Sequence, residues 1–394
     1  MPACADQKSP HLPAGTKTIT SSTNRTAAPT AASVFSATDS LIPKPSLTLS
    51  PAPSPTPKIT TPGYASPAAS TPTLTVQPFD CPASPVTAKI IQGTDAAGWL
   101  DWVKKLSGAE PVTVKGRKVT FSTRYTPAMF ATMEPNALDF IDETVSAWYP
   151  PEQIEIQTYS ATINDQPVKG KNLILSIPGI LKQEEEVILS AHLDSQSRQD
   201  PEKTAPGAED NASGSAALLE AARLLRGHTF ERTIRIIWFT GEEQGMLGSK
   251  AYVKAVQNSG AIQAVINLDM FGFDSDNDCC FELHVGALPA SDRIGQCFLQ
   301  TIRQYDLGLP RPDYLTTTAT SLSDHGSFWT KNIGAIEILE NMFDQDPAAG
   351  CAKSDRNPSY HTPQDTYDRL NPDSAIRIVR AGLAAALAIA GPVQ

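Results

Sequence analysis

From residue 186 onward the chain alternates short apolar or β-branched runs with stretches of helical periodicity. That alternation is what most restricts its fold. The run 186–191 (Glu-Val-Ile-Leu-Ser-Ala) reads as a strand, 213–225 as a helix, 233–239 as a strand rich in Ile, Trp and Phe, and 249–258 as a helix. Strands follow at 264–268 and 335–339, and Pro372–Ala390 closes as an Ala- and Leu-rich amphipathic helix. Asn211 or Ser213 is the expected cap of the helix at 213, and Asn371 that of the last helix, with Pro372 at its first position. Upstream, helical spacing covers 97–106 and 128–148, and strand patterns cover 154–159 and 172–177. Strands separated by helices cannot pair through tight turns. The expected fold class is therefore α/β, a mixed, mostly parallel β-sheet sandwiched between helices. In such sheets ligands bind beyond the carboxyl ends of the strands.

Composition sets the limits around this core. The first 85 or so residues are dominated by Pro, Ser, Thr and Ala, densest at Pro51-Ala52-Pro53-Ser54-Pro55-Thr56-Pro57. Such a segment has little to bury and cannot offset its ordering entropy, so it reads as a disordered tail or stalk over 1–85 ahead of a catalytic domain over 90–394. A net charge of −10 excludes nucleic acid and anionic membrane as partners, because both require clustered Lys and Arg. No run reaches the ~18–20 apolar residues of a transmembrane segment. Met1–Lys8 lacks the apolar run of a signal peptide, yet stalks of this composition accompany exported proteins. An extracellular or cell-envelope location is the expectation, with Asn24-Arg25-Thr26 as a chance-level glycosylation sequon. Six cysteines (Cys4, Cys81, Cys279, Cys280, Cys297, Cys351) form no C-x-x-C pair, and no connectivity follows from their spacing.

Five fragments carry the chemistry. They are His192 in Ser190-Ala191-His192-Leu193-Asp194, Asp210 in Gly207-Ala208-Glu209-Asp210-Asn211-Ala212-Ser213-Gly214, Glu242 and Glu243 in Thr240-Gly241-Glu242-Glu243, Asp269 in Leu268-Asp269-Met270, and His361 in His361-Thr362-Pro363-Gln364-Asp365-Thr366. Each has an ordinary reading by itself: a lone histidine in a core, a solvated Glu-Glu pair, an aspartate capping a helix. Together they are nitrogen and oxygen donors placed just after strands, a set that suits divalent zinc. The glycines at 207, 214, 241 and 245 allow the tight backbone such a rim needs. Paired carboxylates beside a metal let one hold the ion while the other moves a proton.

In order and spacing these fragments resemble the zinc aminopeptidase family that includes the secreted bacterial leucyl aminopeptidases. The resemblance covers roughly residues 185–366. It implies two zinc ions, with Asp210 bridging them, His192 and Asp269 completing one site, and Glu243 and His361 the other. Glu242 would be the catalytic general base of a hydroxide bridging the two ions. Asp194 would orient the His192 ring from behind, and Asp324 and His325 of Ser323-Asp324-His325 would support the site in the same way. The implied activity is exopeptidase cleavage of peptides with a free N-terminus, by a monomer. A carboxypeptidase of the same family is the alternative, with Arg198, Lys203, Arg311 and Arg356 available for a substrate carboxylate. A stalked, non-catalytic binding module is another, although all the ligand positions are intact; glutaminyl cyclases, which use one zinc, fit that intact set less well. Thr316–Leu322, just before the S-D-H motif, lacks the disulfide and the tyrosine often found there in the family. His11, His228 and His284 match nothing, and Glu337 and Glu340 flank a buried strand near the pocket.

Overall fold

Side-chain alternation along the central strands shows how the layers form. In the computed structural model, which describes residues 79–343, 351 and 354–393, strand β5 (Lys182–His192) sends Val187 and Leu189 to one face and Ile188 to the other. Period-2 geometry requires that split, and both faces are apolar because both are covered by helices. The expected stalk falls, up to residue 78, outside the described residues.

The chain enters through α1 (Pro85–Gln92) and α2 (Ala96–Leu106), capped by the side chains of Ser84 and Asp95. Folded structure therefore starts ahead of the expected boundary at 90. A small hairpin, β1 (Val112–Val114) and β2 (Arg117–Val119), turns through Lys115 and Gly116, both at positive φ. The single helix expected over 128–148 is two helices, α3 (Thr126–Ala131) and α4 (Ala137–Ser146). Pro135 explains the break: it removes an N–H and disfavours a helical residue before it, and Asn136 then caps α4 in a capping box with Asp139.

Among the described residues the main sheet has eight strands. Beside β5 these are β3 (Ile154–Ile163), β4 (Gln166–Ile177), β7 (Arg232–Phe239), β8 (Ile262–Leu268), β9 (Phe281–His284), β10 (Asp313–Leu315) and β11 (Ala335–Glu340). Their order is β10-β9-β11-β8-β5-β7-β4-β3. The centre (β11, β8, β5, β7) is parallel, whereas β3, β4 and β9 pair antiparallel at the flanks. A two-residue strand, β6 (Thr229–Phe230), pairs with β12 (Pro392–Val393) away from the sheet. Helices α2, α5 (Gly214–Leu225), α7 (Pro289–Gln304) and α9 (Pro372–Ala390) cover one face and hold the larger core, including Trp99, Trp238 and Phe298. Each large side chain buried there contributes ~1.5–3 kcal/mol. Helices α6 (Leu247–Ala255) and α8 (Asp324–Trp329) cover the other face around Phe239, Tyr252 and Phe328. The caps behave as expected: Asn371 Oδ1 accepts from Ser374 N, and Asn211 Oδ1 accepts from Gly214 N. Strands β9 and β10 and helix α7 were not anticipated. Disulfides join Cys81 to Cys297 on α7, and Cys280 to Cys351.

Candidate metal centre

Because the four central strands are parallel, their carboxyl ends share one rim, and the fragments meet there from the ends of three strands and from two turns. His192 is the last residue of β5, Glu242 and Glu243 follow β7, and Asp269 follows β8. Asp210 lies in the turn that opens α5, and His361 in a turn near the end of the chain. The Asp210 turn is possible because Gly207 has φ +49° and a Cβ there would collide with the Asp210 carbonyl oxygen. The Asp210–Asn211 peptide is cis. Met270 and His361 also adopt left-handed backbone, which side-chain-bearing residues hold only when their surroundings impose it.

All five candidate ligands meet. His192 Nε2 lies 3.1 Å from Asp269 Oδ1 and 3.3 Å from Asp210 Oδ1. His361 Nε2 lies 3.0 Å from Asp210 Oδ2 and 2.9 Å from Glu243 Oε2. The two oxygens of Asp210 thus face different histidines, and two donor triads, His192–Asp210–Asp269 and Asp210–Glu243–His361, share that one carboxylate.

The triads suit divalent cations on local grounds. His192 Nδ1 donates to the Asp194 carbonyl at 3.1 Å, since a carbonyl only accepts. Nε2 then faces two carboxylate oxygens, a place that suits either a proton on the ring or a cation held by all three groups. Glu243 Oε1 is buried with no hydrogen-bond partner. Asp194, Asp210, Glu242, Glu243, Asp269 and Asp324 surround just two imidazoles, and burial together with neighbouring carboxylates raises Glu242, Glu243 and Asp324. Burial first and the Asp210 charge second push Glu243 up to about 8. Burial likewise raises Glu242, with His192 opposing and Glu243 and Asp269 adding. Burial lifts Asp324 to about 7 against the pull of His192. Burial alone would depress both histidines. Asp269, Asp194 and Asp210 nonetheless hold His192 well above its usual value, and Asp210 and Glu243 raise His361 to about 10. Burial opposes ionisation of Asp210, but hydrogen bonds to both rings keep it below the usual carboxylate range.

The surrounding residues hold these groups in place. The Asp194 carboxylate lies 3.7 Å from His192 Nδ1 and also accepts from the backbone N–H groups of Glu242 and Glu243, fixing the Glu-Glu turn. Asp365 accepts from the N–H groups of Glu209 and Asp210 and from Asn357. Ser323 Oγ donates to Asp269 Oδ2 at 2.7 Å and accepts from Asn267. Asp324 is buried close enough to His192, Asp194 and Asp269 to feel their charges. His325 points elsewhere: its Nε2 donates to Thr320 O, 3.0 Å away, and sits 3.6 Å from Glu337.

Arg124 escaped the sequence reading. It is fully buried and donates to the carbonyls of Leu106, Leu193, Pro206 and Gly207, tying the His192 and Asp210 loops together. Burial lowers it to about 10, so it stays charged at neutral pH. Only its place between Phe121 and the α3 helix, far from any motif, could have been read in advance. Tyr360 was overlooked as well, although it precedes His361; its ring stacks on the histidine at 3.8 Å. Burial, with Asp210 and Glu243 adding, keeps its phenol protonated far above the usual range.

A cavity of about 120 Å³ opens on the donors and continues between Met270, Thr320, Leu322, Glu337, Leu339, Met342, Phe343 and Tyr360. Among the described residues no Lys or Arg lines it. Arg198 and Arg356 approach from outside, 6.0 and 5.0 Å from the Tyr360 ring, and neither Lys203 nor Arg311 reaches the cavity. No described helix is long and apolar enough to cross a membrane.

The chain is similar to a probable leucine aminopeptidase of Arthroderma otae, 30% identical over 225 residues, which are 55% of this chain and 57% of that protein. The match therefore spans little more than half the length of that curated relative. Among solved structures it resembles the LapA aminopeptidase of Legionella pneumophila, with a TM-score of 0.61 and 20% identity over 81% of this chain and 78% of that one. It also resembles a glutaminyl cyclase of an Acidobacteriales bacterium, with a TM-score of 0.57 and 15% identity over 80% and 98%. These structural likenesses concern the fold, which is an α/β sheet between helices as expected. The model of peptidase family M28 matches residues 172–386, more than half of the chain, and the protein belongs to that family.

Proposed function

We propose that this protein is a two-zinc exopeptidase that removes N-terminal residues from peptides. The observation that carries the reading is the pair of donor triads sharing Asp210 at the mouth of a largely apolar cavity. His192, Asp210 and Asp269 would hold one ion, and Asp210, Glu243 and His361 the other. Two such ions supply, when bound, a water acidic enough to ionise near neutral pH and polarisation of the substrate carbonyl. Glu242 lines the same cavity without belonging to either triad, and acts as the general base. It takes a proton from the attacking water and returns it to the leaving amine. Tyr360, protonated and beside His361, donates a hydrogen bond to the oxygen that gains charge as the carbonyl is attacked. The apolar end of the cavity takes the side chain of the residue released.

Two other readings are disfavoured by specific observations. A carboxypeptidase needs a cation at the substrate carboxylate, and no described Lys or Arg lines the cavity. A glutaminyl cyclase shares the fold, but one ion would leave half of this shared donor set idle. The disulfides Cys81–Cys297 and Cys280–Cys351 favour an oxidising location, hence export to the envelope or medium, where the protein works as a monomer.

The test is release of chromophore from aminoacyl-p-nitroanilides, with and without chelator, beside a panel of dipeptides with free C-termini and an N-terminal glutaminyl peptide. Chelator-sensitive cleavage of the free-amine anilides is expected. Turnover confined to acidic free-carboxylate substrates, or cyclisation without hydrolysis, would overturn the reading.

A further inference from the structure

Strand β9 carries two buried titratable side chains that the chemistry above does not use. Glu282 and His284 are both fully buried and, two residues apart, point to the same face of the sheet. Their partners across the antiparallel pairing with β11 are Leu339 and Glu337, both of which line the cavity. The pair therefore stands one strand behind the cavity wall.

Its hydrogen bonds run outward to the two loops that finish that wall. Thr320 N donates to His284 Nδ1 at 3.0 Å. A backbone N–H only donates, so Nδ1 is the acceptor, Nε2 carries the proton, and Nε2 donates to Glu282 Oε2 at 2.9 Å. The other Glu282 oxygen accepts from Phe343 N. The Phe343 ring also packs edge-on to the His284 ring, with centroids 6.0 Å apart. His325 holds the other side of Thr320 by donating to its carbonyl. Thr320 and Phe343 belong to separate loops, and both line the cavity. Every bond in the chain Thr320–His284–Glu282–Phe343 has one permitted direction, so no member can be replaced by a group of opposite polarity without breaking a link.

We propose that Glu282 and His284 are positioning residues that set which N-terminal side chain the cavity admits, by holding Thr320 and Phe343 from behind. The proposal rests on the reading of the cavity's apolar end as the seat of the released side chain. Neither residue touches substrate. Their effect is on the shape of the wall, and so on discrimination between large and small side chains rather than on proton transfer.

The experiment pairs a substrate series with backbone hydrogen exchange on the full chain. His284→Phe removes both links, and Glu282→Gln leaves one accepting oxygen for two donors, so its NH2 opposes either His284 Nε2–H or Phe343 N–H. His284→Asn keeps an acceptor where Nδ1 was and serves as the rescue. The ratio of kcat/KM for leucyl over alanyl p-nitroanilide should fall about tenfold in the first two, mainly through KM for the leucyl substrate, and recover partly in the third. The amides of Thr320 and Phe343 should exchange slowly in the native protein, with Thr320 losing protection in His284→Phe and regaining it in His284→Asn. Should the buried variants fail to fold, Thr320→Pro deletes the same link from the loop side, with Thr320→Ala as its control. A uniform loss across the series, a ratio unchanged within about twofold, or unprotected amides in the native protein overturns the proposal. A native protein that cleaves no aminoacyl substrate overturns the reading on which it rests, and the exchange data separate that case from failure of the clamp.

Discussion

The donor wall and the side-chain wall of the cavity are built by different means. The donor wall sits on the ends of β5, β7 and β8, parallel strands in the middle of the sheet, and its side chains are each fixed by a short polar link: Asp194 to the Glu-Glu turn, Asp365 to the Asp210 turn, Ser323 to Asp269. The side-chain wall rests on β11 and its antiparallel neighbour β9, and is completed by loops that hang from the Glu282–His284 pair. Central strands, covered on both faces, can hold charged groups to the tolerance that metal binding requires. Loops hung beside those strand ends can change without disturbing that geometry. Under the proposed reading, the division would let the side chain accepted vary while the chemistry stays put.

Breaking the donor wall should have the largest effects. Asp210→Asn removes the ligand common to both triads; we expect kcat/KM to fall by at least about 10⁴ and bound metal to drop below one ion per chain by elemental analysis. Glu242→Gln spares the triads, so turnover should fall about 10³-fold while metal content stays at the native level. Loss of metal in that variant would mean that Glu242 is a ligand. Ser323→Ala loosens Asp269 without removing it, and a chelator titration should show metal affinity weaker by about 10- to 100-fold. The side-chain wall should yield the smallest effect. Phe343→Ala should lower the leucyl-to-alanyl preference about tenfold and leave metal affinity at the native value. Equal effects of Ser323→Ala and Phe343→Ala on metal affinity would erase the distinction between the walls.

Legibility in the sequence follows the same division. His192, Asp210, Glu242, Glu243, Asp269 and His361 each sit in a short local pattern, at a strand end or in a turn, and local pattern is what a linear reading detects. The strands at 186–191, 233–239 and 264–268 were visible for the same reason: doubly covered strands are apolar throughout. The helix expected over 128–148 failed at Pro135, where the apolar period continues across a break it does not register. Strand β9 was missed because four residues, Phe-Glu-Leu-His, are too short a run to register, and its alternation does not reveal that both polar residues are buried against each other. His284 accordingly read as a histidine without a role. His325 was expected behind the metals and instead holds Thr320.

What the sequence determined by itself was the set of parts: an α/β chain, the donors and their order, and a net charge of −10. Those follow from local propensity and from the chemistry of single residue types. Tertiary structure alone decided that Asp210 faces both histidines, that Arg124 joins the loop at Leu193, 69 residues beyond it, to the one at Pro206 and Gly207, 82 and 83 residues beyond, and that a buried Glu–His pair backs one wall of the cavity. Such contacts join residues far apart in the chain, and a buried polar group reveals its role only through the partner that repays its desolvation.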